Sequence, residues 1–223
     1  MCSHYQAITA LERFERHFQT AHPPVVVRGD MWPTYPAAVV LGHEGQRQAI
    51  MARWGLIAST TRAFNPRLST FNARSESMAT SPTFGGAWAK GQRCIVAADA
   101  IFEPDWRSGR HVPTRLQRTD GEPMGIAGLW DRWTAPGGEV IFSFTMLTIN
   151  AASHTLMKHM HKPLDEKRML VFLRPCHYDR WLNAPPPAAA AAEYADLLVP
   201  LPADQLMATP EPGPDVQNNP TLF

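Results

Sequence analysis

Apolar and polar positions along this 223-residue chain form many short runs and only rarely recur at helical spacing. The clearest helical stretch is residues 9–21, where Leu11, Phe14 and Phe18 share a face, Thr9 stands at the N-cap position and Glu12 at the capping-box position. The segment VVVRGDMWPTYPAAVVL that follows is a set of apolar runs broken by prolines, which predicts strands joined by turns. Residues 48–57 read as a strand ending at Trp54-Gly55, and residues 71–80 as the start of a short helix with Asn72 at or near its N-terminus. Residues 93–106 open as an apolar strand and then expose an acid beside aromatics. Further strands are predicted at 111–117, 124–130, 140–150 and 169–173, the first two separated by the turn-rich TDGEP. Residues 175–182 read as helical, as do residues 188–198 after a proline-rich connector. Many short strands with few, peripheral helices predict an α+β, β-rich single domain and argue against a doubly wound sheet. The domain is expected over residues 1–203, with the proline- and asparagine-rich residues 204–223 as a flexible tail.

Composition narrows the function classes. A hydrophobic fraction of 44% and a charged fraction of 18% are those of a globular protein. No apolar run approaches the ~20 residues that span a bilayer, and the first residues lack a signal peptide's apolar stretch. A formal charge of +1 gives no global signal for nucleic acid, so any DNA contact must be local. Cations do gather around the polar motifs: Arg62, Arg67, Arg74, Lys90, Arg93, Lys158, Lys162, Lys167 and Arg168. The three cysteines (Cys2, Cys94, Cys176) are odd in number and lack CxxC spacing, which argues against a disulfide framework and a thiolate zinc site. A cytoplasmic protein without a cofactor is the expectation.

Five features carry possible chemistry. Cys2 follows the initiator methionine, and its small side chain permits methionine trimming. That would leave an α-amine and a thiol on one residue, a pair that condenses with an aldehyde and closes a thiazolidine. Both groups titrate near neutrality, at roughly 8 and 8.5. The plain alternative is a small core cysteine. Asn72, in FNARSE, reads as a helix cap or a hydrogen-bonding ligand. Glu103, at the end of an apolar strand between Phe102 and Trp106, is placed for partial desolvation, a raised pKa and proton shuttling, or is an ordinary strand-end acid. His154, His159 and His161 lack metal-site spacing and a helping carboxylate, so one of them serves better as an acid/base. Trp54, with Trp32 and Trp88, offers aromatic surface for bases or, more simply, for packing.

Taken in order, Met1-Cys2, Trp54-Gly55-Leu56, Phe71-Asn72-Ala73-Arg74-Ser75-Glu76, Cys94-Ile95-Val96 leading to Phe102-Glu103, Leu147-Thr148, and Met160-His161 ahead of Arg168-Met169-Leu170-Val171 resemble the SRAP family, the SOS response-associated peptidases or abasic-site processing proteins. The resemblance covers roughly residues 1–200 and implies a barrel-like sheet with peripheral helices and a cleft for single-stranded DNA bearing an abasic site. It implies Cys2 as the nucleophile after loss of Met1 by autoproteolysis or trimming, its amine forming a Schiff base with the sugar aldehyde and its thiol closing the ring. Asn72 would position the N-terminus or the opened sugar, Glu103 would shuttle protons, and His161 would assist ring opening or reversal. Arg74 and Thr148 match positions that hold the DNA backbone, and Trp54 lies in a segment lining the DNA path. Weak lyase activity by β-elimination and a monomeric state are also implied. This chain departs from the family pattern in Ser3, in Pro104-Asp105 before Trp106, and in the extra residues 162–167, which leave His159 as an alternative to His161.

Two other function classes start from the same residues. An N-terminal-cysteine amidohydrolase would use the thiol on an amide with the α-amine as base, but no companion glutamine-binding signature is present. A non-covalent single-stranded DNA module would make Cys2 incidental.

Overall fold

The structure, a computed structural model, describes residues 2–25, 28–65, 68–183, 185 and 194–211. In chain order its elements are β1 (Tyr5–Gln6), α1 (Leu11–Phe18), β2 (Asp30–Met31), β3 (Pro36–His43), β4 (Gln46–Trp54), β5 (Asn72–Arg74), α2 (Gly85–Ala89), β6 (Arg93–Ala98), β7 (Ala100–Asp105), β8 (Val112–Arg118), β9 (Met124–Thr134), β10 (Val140–Asn150), β11 (Arg168–Leu170), β12 (Phe172–Leu173), α3 (Tyr178–Leu182) and β13 (Leu206–Pro210). Strands β10, β4, β3, β6 and β9 pair in that order, and β9 pairs back onto β10, so five strands close a barrel. Closure leaves these strands without open edges. The expected α+β, β-rich domain with a barrel-like sheet is the fold observed.

Strand β10 spans more than the barrel. Val140 to Met146 pair with β9, while Met146 to Thr148 pair in parallel with β5 and Thr148 to Asn150 pair antiparallel with β11. Its far end therefore carries Asn72 and Arg74 on one side and Arg168 on the other. Gly128 marks a close approach in the barrel wall: a Cβ there would lie 2.6 Å from the Thr145 carbonyl oxygen and 2.8 Å from Cys94 Sγ.

A second sheet, ordered β13-β8-β7-β1-β2, sets the N-terminus against β7. The antiparallel register Tyr5↔Ile101 and Gln6↔Ala100 continues as the Phe102 N–H donates to the His4 carbonyl at 3.0 Å. This pairing draws Cys2 toward the level of Glu103. Along β7, Ile101, Glu103 and Asp105 are buried while Phe102 and Pro104 are half-buried, the period-two pattern that turns Glu103 inward.

Several local expectations change. Helix α1 begins one residue late: Ala10 occupies the N-cap without a side-chain hydrogen bond, so Thr9 is not the cap. Asn72 starts no helix, because parallel pairing with β10 satisfies its backbone and outweighs local capping propensity; only Met78–Thr80 make a 3₁₀ turn. Residues Leu206–Pro210, placed in the tail by composition, form a strand on β8. The helix expected over 188–198 falls mostly outside the described residues, as does the tail from residue 212. Among the described residues no helix is long and apolar enough to cross a membrane.

Candidate functional site

The end of β7 meets the N-terminal segment and the loop before β11. The His161 N–H donates to the Pro104 carbonyl at 2.9 Å, and the Trp106 N–H donates to the His159 carbonyl at 3.0 Å. These bonds fasten residues 159–161 to β7. His161 adopts a left-handed backbone conformation, φ 64°. A non-glycine residue held there costs on the order of 1–3 kcal/mol, and such strain gathers at sites where a side chain must be aimed. The imidazole Nε2 lies 3.5 Å from Glu103 Oε2. Asp105, two residues along β7, is pushed up by burial but held low overall by its hydrogen bonds with Arg107, with a smaller electrostatic contribution from His159. Between the two candidate histidines, His161 is the one brought to Glu103.

Cys2 is 1% exposed, and its thiol donates to the His4 carbonyl at 3.3 Å. Its own carbonyl accepts from Asn72 Nδ2 at 2.6 Å. Asn72 thus grips Cys2 from β5 while β7 presents Glu103 from the other side. Two buried acceptors at this junction, Asn72 Oδ1 and Glu103 Oε2, have no hydrogen-bond partner among the described residues. Orphan acceptors of this kind each cost roughly 1–3 kcal/mol, and a donor on a ligand would relieve them.

Burial sets the ionisation of the three groups. Desolvation raises the Glu103 carboxyl from 4.5 to about 7, so it gives and takes a proton near neutrality. Desolvation lowers His161 from 6.5 to about 4, which keeps the imidazole neutral and able to accept. Desolvation, and then the nearby Glu103 charge, push the Cys2 thiol far up. At 3.5 Å the Glu103–His161 contact is longer than a hydrogen bond, and both shifts disfavour an ion pair. The pair is a carboxyl on the edge of ionisation beside a neutral imidazole.

Glu103 and His161 face a cavity of about 550 Å³. Its other walls include Ser3, His4, Trp32, Phe102, Trp106 and Lys162. Here His4 is sandwiched between Trp32, at 4.1 Å and 7° between planes, and Phe102, at 4.0 Å and 12°.

The three residues matched to DNA contact are placed differently from one another. Arg74 is half-exposed, and its guanidinium pairs with Glu166 at 2.6 Å. Thr148 is buried: its hydroxyl donates to the Ala73 carbonyl at 3.3 Å and accepts from Arg168 at 3.2 Å. It supports Arg168 from beneath and has no face turned to solvent. Trp54 is fully buried, and its indole N–H donates to the Phe71 carbonyl at 2.9 Å. Its ring is core, stacked beside Phe144, which corrects any reading in which it touches DNA directly. The exposed tryptophan is Trp32, at 45%, while Trp88 is buried.

Residue patterns left other parts of this region unmarked. Arg168 makes a bidentate pair with Glu76 at 2.9 and 2.8 Å, which holds the Glu76 carboxyl below its usual range, and also reaches Glu166 at 3.1 Å. The ammonium of Lys167 donates to the carbonyls of Met160 and His161, each at 3.1 Å, and of Lys162 at 2.5 Å, tying the inserted loop into a ring. The run of two acids followed by two bases in residues 165–168, Asp-Glu-Lys-Arg, was the signal available for this network. His154 stands apart, its Nε2 within 2.8 Å of the Leu201 carbonyl and its Nδ1 accepting from the Met157 N–H at 2.9 Å.

The profile of the family described as SOS response associated peptidase (SRAP) matches residues 1–214. The abasic site processing protein YobE of Bacillus subtilis is 27% identical over 190 residues, covering 81% of this chain and 81% of its own length. The abasic site processing protein HMCES of chicken is 29% identical over 140 residues, 53% of this chain, and the match spans only 42% of that longer relative. Among solved structures, a Bordetella bronchiseptica protein is 45% identical with a TM-score of 0.85, covering 95% of this chain and all of its own. A Bacteroides thetaiotaomicron protein is 21% identical with a TM-score of 0.77 over 93% of this chain and 90% of its own, a likeness of fold.

Proposed function

Since this chain belongs to the SOS response associated peptidase family, we propose that it processes abasic sites in single-stranded DNA by trapping the sugar aldehyde on Cys2. One observation carries the reading: Cys2 is held by Asn72 at 2.6 Å through its carbonyl, beside a buried carboxyl that titrates at about 7. A carbonyl condensation needs a group that donates and accepts protons at neutral pH in the same position.

With the preceding methionine gone, the Cys2 amine adds to C1′ of the ring-opened sugar. The resulting hydroxyl leaves as water on a proton from Glu103, giving a Schiff base. The thiol then adds to the carbon of the nitrogen-protonated Schiff base; an S–C bond forms, the C=N electron pair settles on nitrogen, and the thiol proton returns to the Glu103 carboxylate. The sum is aminothiol plus aldehyde giving thiazolidine plus water. Neutral His161 accepts the C1′ hydroxyl proton as the closed sugar opens, and returns one on reversal. Loss of a proton from C2′ of the Schiff base, with departure of the 3′ phosphate, is the competing β-elimination that gives lyase activity. Removal of Met1 by the chain itself would place Cys2 as nucleophile toward the preceding carbonyl. Arg74 supplies a guanidinium suited to bidentate phosphate contact, with Thr148 as its sheet partner and Trp54 holding the Phe71 carbonyl just before that strand. The chain is proposed to act as a cytoplasmic monomer without a cofactor.

The test mixes purified protein, its N-terminus checked by mass, with an oligonucleotide containing one abasic site. A denaturation-resistant adduct is expected, absent in Cys2→Ala. If protein with a free Cys2 amine gives no adduct, the proposal fails. Ammonia release from glutamine would favour the amidohydrolase class instead.

A further inference from the structure

Trp32, His4 and Phe102 form a three-ring stack along one wall of the cavity that Glu103 and His161 line. Its geometry is tight, with centroid spacings of 4.1 and 4.0 Å and planes within 7° and 12° of parallel. The middle ring is held in orientation, because His4 Nε2 bonds to Asp30 Oδ1 at 2.8 Å. The two strands involved also fix the ends: Phe102 lies in β7, and Trp32 directly follows β2, whose Met31 pairs with Tyr5 of β1. The stack is therefore built on paired strands.

The outer member of the stack is the most exposed. Trp32 is 45% exposed, although a tryptophan supported on one face by a fixed ring has apolar area to bury on the other. Among the described residues its one ring contact is His4. An indole open to solvent on the wall of a cavity, continuing a column of parallel rings, matches the flat π-face of a nucleobase. Lys162 also lines this cavity and supplies a cation for a phosphate. From this geometry we infer that Trp32 is a stacking platform for the base of the nucleotide next to the abasic position, with His4 and Phe102 as its support. The inference rests on the proposed abasic-site reading and adds a base-reading element to it. The column extends by one ring when DNA binds, and the base-free sugar is thereby set toward Glu103 and His161.

The consequence is a dependence on the flanking base that the chemistry alone does not require. Adduct formation is measured at limiting protein with oligonucleotides carrying one abasic site and, on its 5′ or its 3′ side, either dA or a base-free tetrahydrofuran spacer. Wild type is expected to react faster with the dA flank on one side by about 5- to 140-fold, the range for one base stacked on an aromatic ring. Trp32→Ala should erase that preference while still reacting with the spacer DNA at the wild-type rate, and Trp32→Phe should restore part of it. A full preference in Trp32→Ala, or no preference in wild type on either side, overturns the inference while leaving the crosslinking reading in place. Absence of any adduct with all these DNAs removes the crosslinking reading and this one with it. Matching urea midpoints for wild type and Trp32→Ala separate loss of the platform from loss of the fold.

Discussion

Two of the buried ionisable side chains, Arg93 and Glu103, are treated in opposite ways. Arg93 is 1% exposed at the start of β6, with its guanidinium over the faces of Tyr194 at 4.4 Å, Trp88 at 4.6 Å and Trp181 at 5.5 Å. Three aromatic quadrupoles surround the charge, and a desolvated cation gains about 2 kcal/mol or more from such a face. Glu103 is 2% exposed on β7, and its Oε2 has no hydrogen-bond partner among the described residues. Its burial is answered by a shift in ionisation to about 7. A buried charge enclosed by compensating groups holds a fold together. A buried carboxyl whose compensation is incomplete remains available to move a proton.

That contrast can be broken or sharpened by substitution. The largest effect is expected from Glu103→Gln, which keeps the shape and removes the proton: adduct formation should slow by about 10²- to 10⁴-fold at pH 7, read on denaturing gels. The same variant should change the pH dependence of stability. The wild-type carboxyl holds its proton up to about 7 when folded and up to 4.5 when unfolded. Between those values the folded state carries the extra proton, so Glu103's contribution is present in full below 4.5 and is lost as pH rises through about 7. The difference in unfolding free energy, Glu103→Gln minus wild type, should therefore rise across this window by up to a few kcal/mol, at about 1.4 kcal/mol per pH unit. His161 has the opposite slope, since its lowered pKa costs stability as pH falls from 6.5 through about 4. It is common to both proteins, so the difference curve isolates Glu103. A flat difference would mean that Glu103 titrates like an exposed acid.

Arg93→Ala should do the reverse. It empties the aromatic box and should cost about 3 kcal/mol in urea unfolding, with the adduct rate per folded molecule unchanged. A rate loss comparable to that of Glu103→Gln would erase the distinction between the two burials.

The smallest effect concerns the rim. Glu166, from the inserted loop, occupies the Arg74 guanidinium that is proposed to meet phosphate. Glu166→Gln should tighten single-stranded DNA binding severalfold, and steepen the log-affinity against log-salt slope by about 0.7, one further phosphate contact. Unchanged affinity and slope would take Arg74 off the DNA path.

Much of this molecule was legible from residue order. Short apolar runs broken by prolines and turn residues marked the strands of the barrel, since such runs depend only on neighbouring positions. The separate motifs around Cys2, Asn72, Glu103 and His161 were visible as residue types suited to one chemistry, and the structure gathers them. Asn72 shows where local reading stops: its surroundings resembled a helix start, yet its conformation is dictated by β10, seventy-four residues away at Met146. Trp54 and Trp32 show the same limit for exposure. Two tryptophans of like composition end at 0% and 45% exposure because one lies against Phe144 in the barrel and the other caps a stack at the cavity mouth.

Sequence by itself determined the β-rich class, the position of the cysteine that can carry an N-terminal aminothiol, and the set of polar residues available to it. Those are properties of composition, spacing and chain position. Tertiary structure alone decided that His161 rather than His159 meets Glu103, that Thr148 serves as a support, and that the exposed tryptophan is Trp32. Each of these depends on pairing between distant strands and on how far water is excluded, and ionisation follows from that exclusion. The 3.5 Å between Glu103 and His161 and the opposite shifts of their protons belong to that packing.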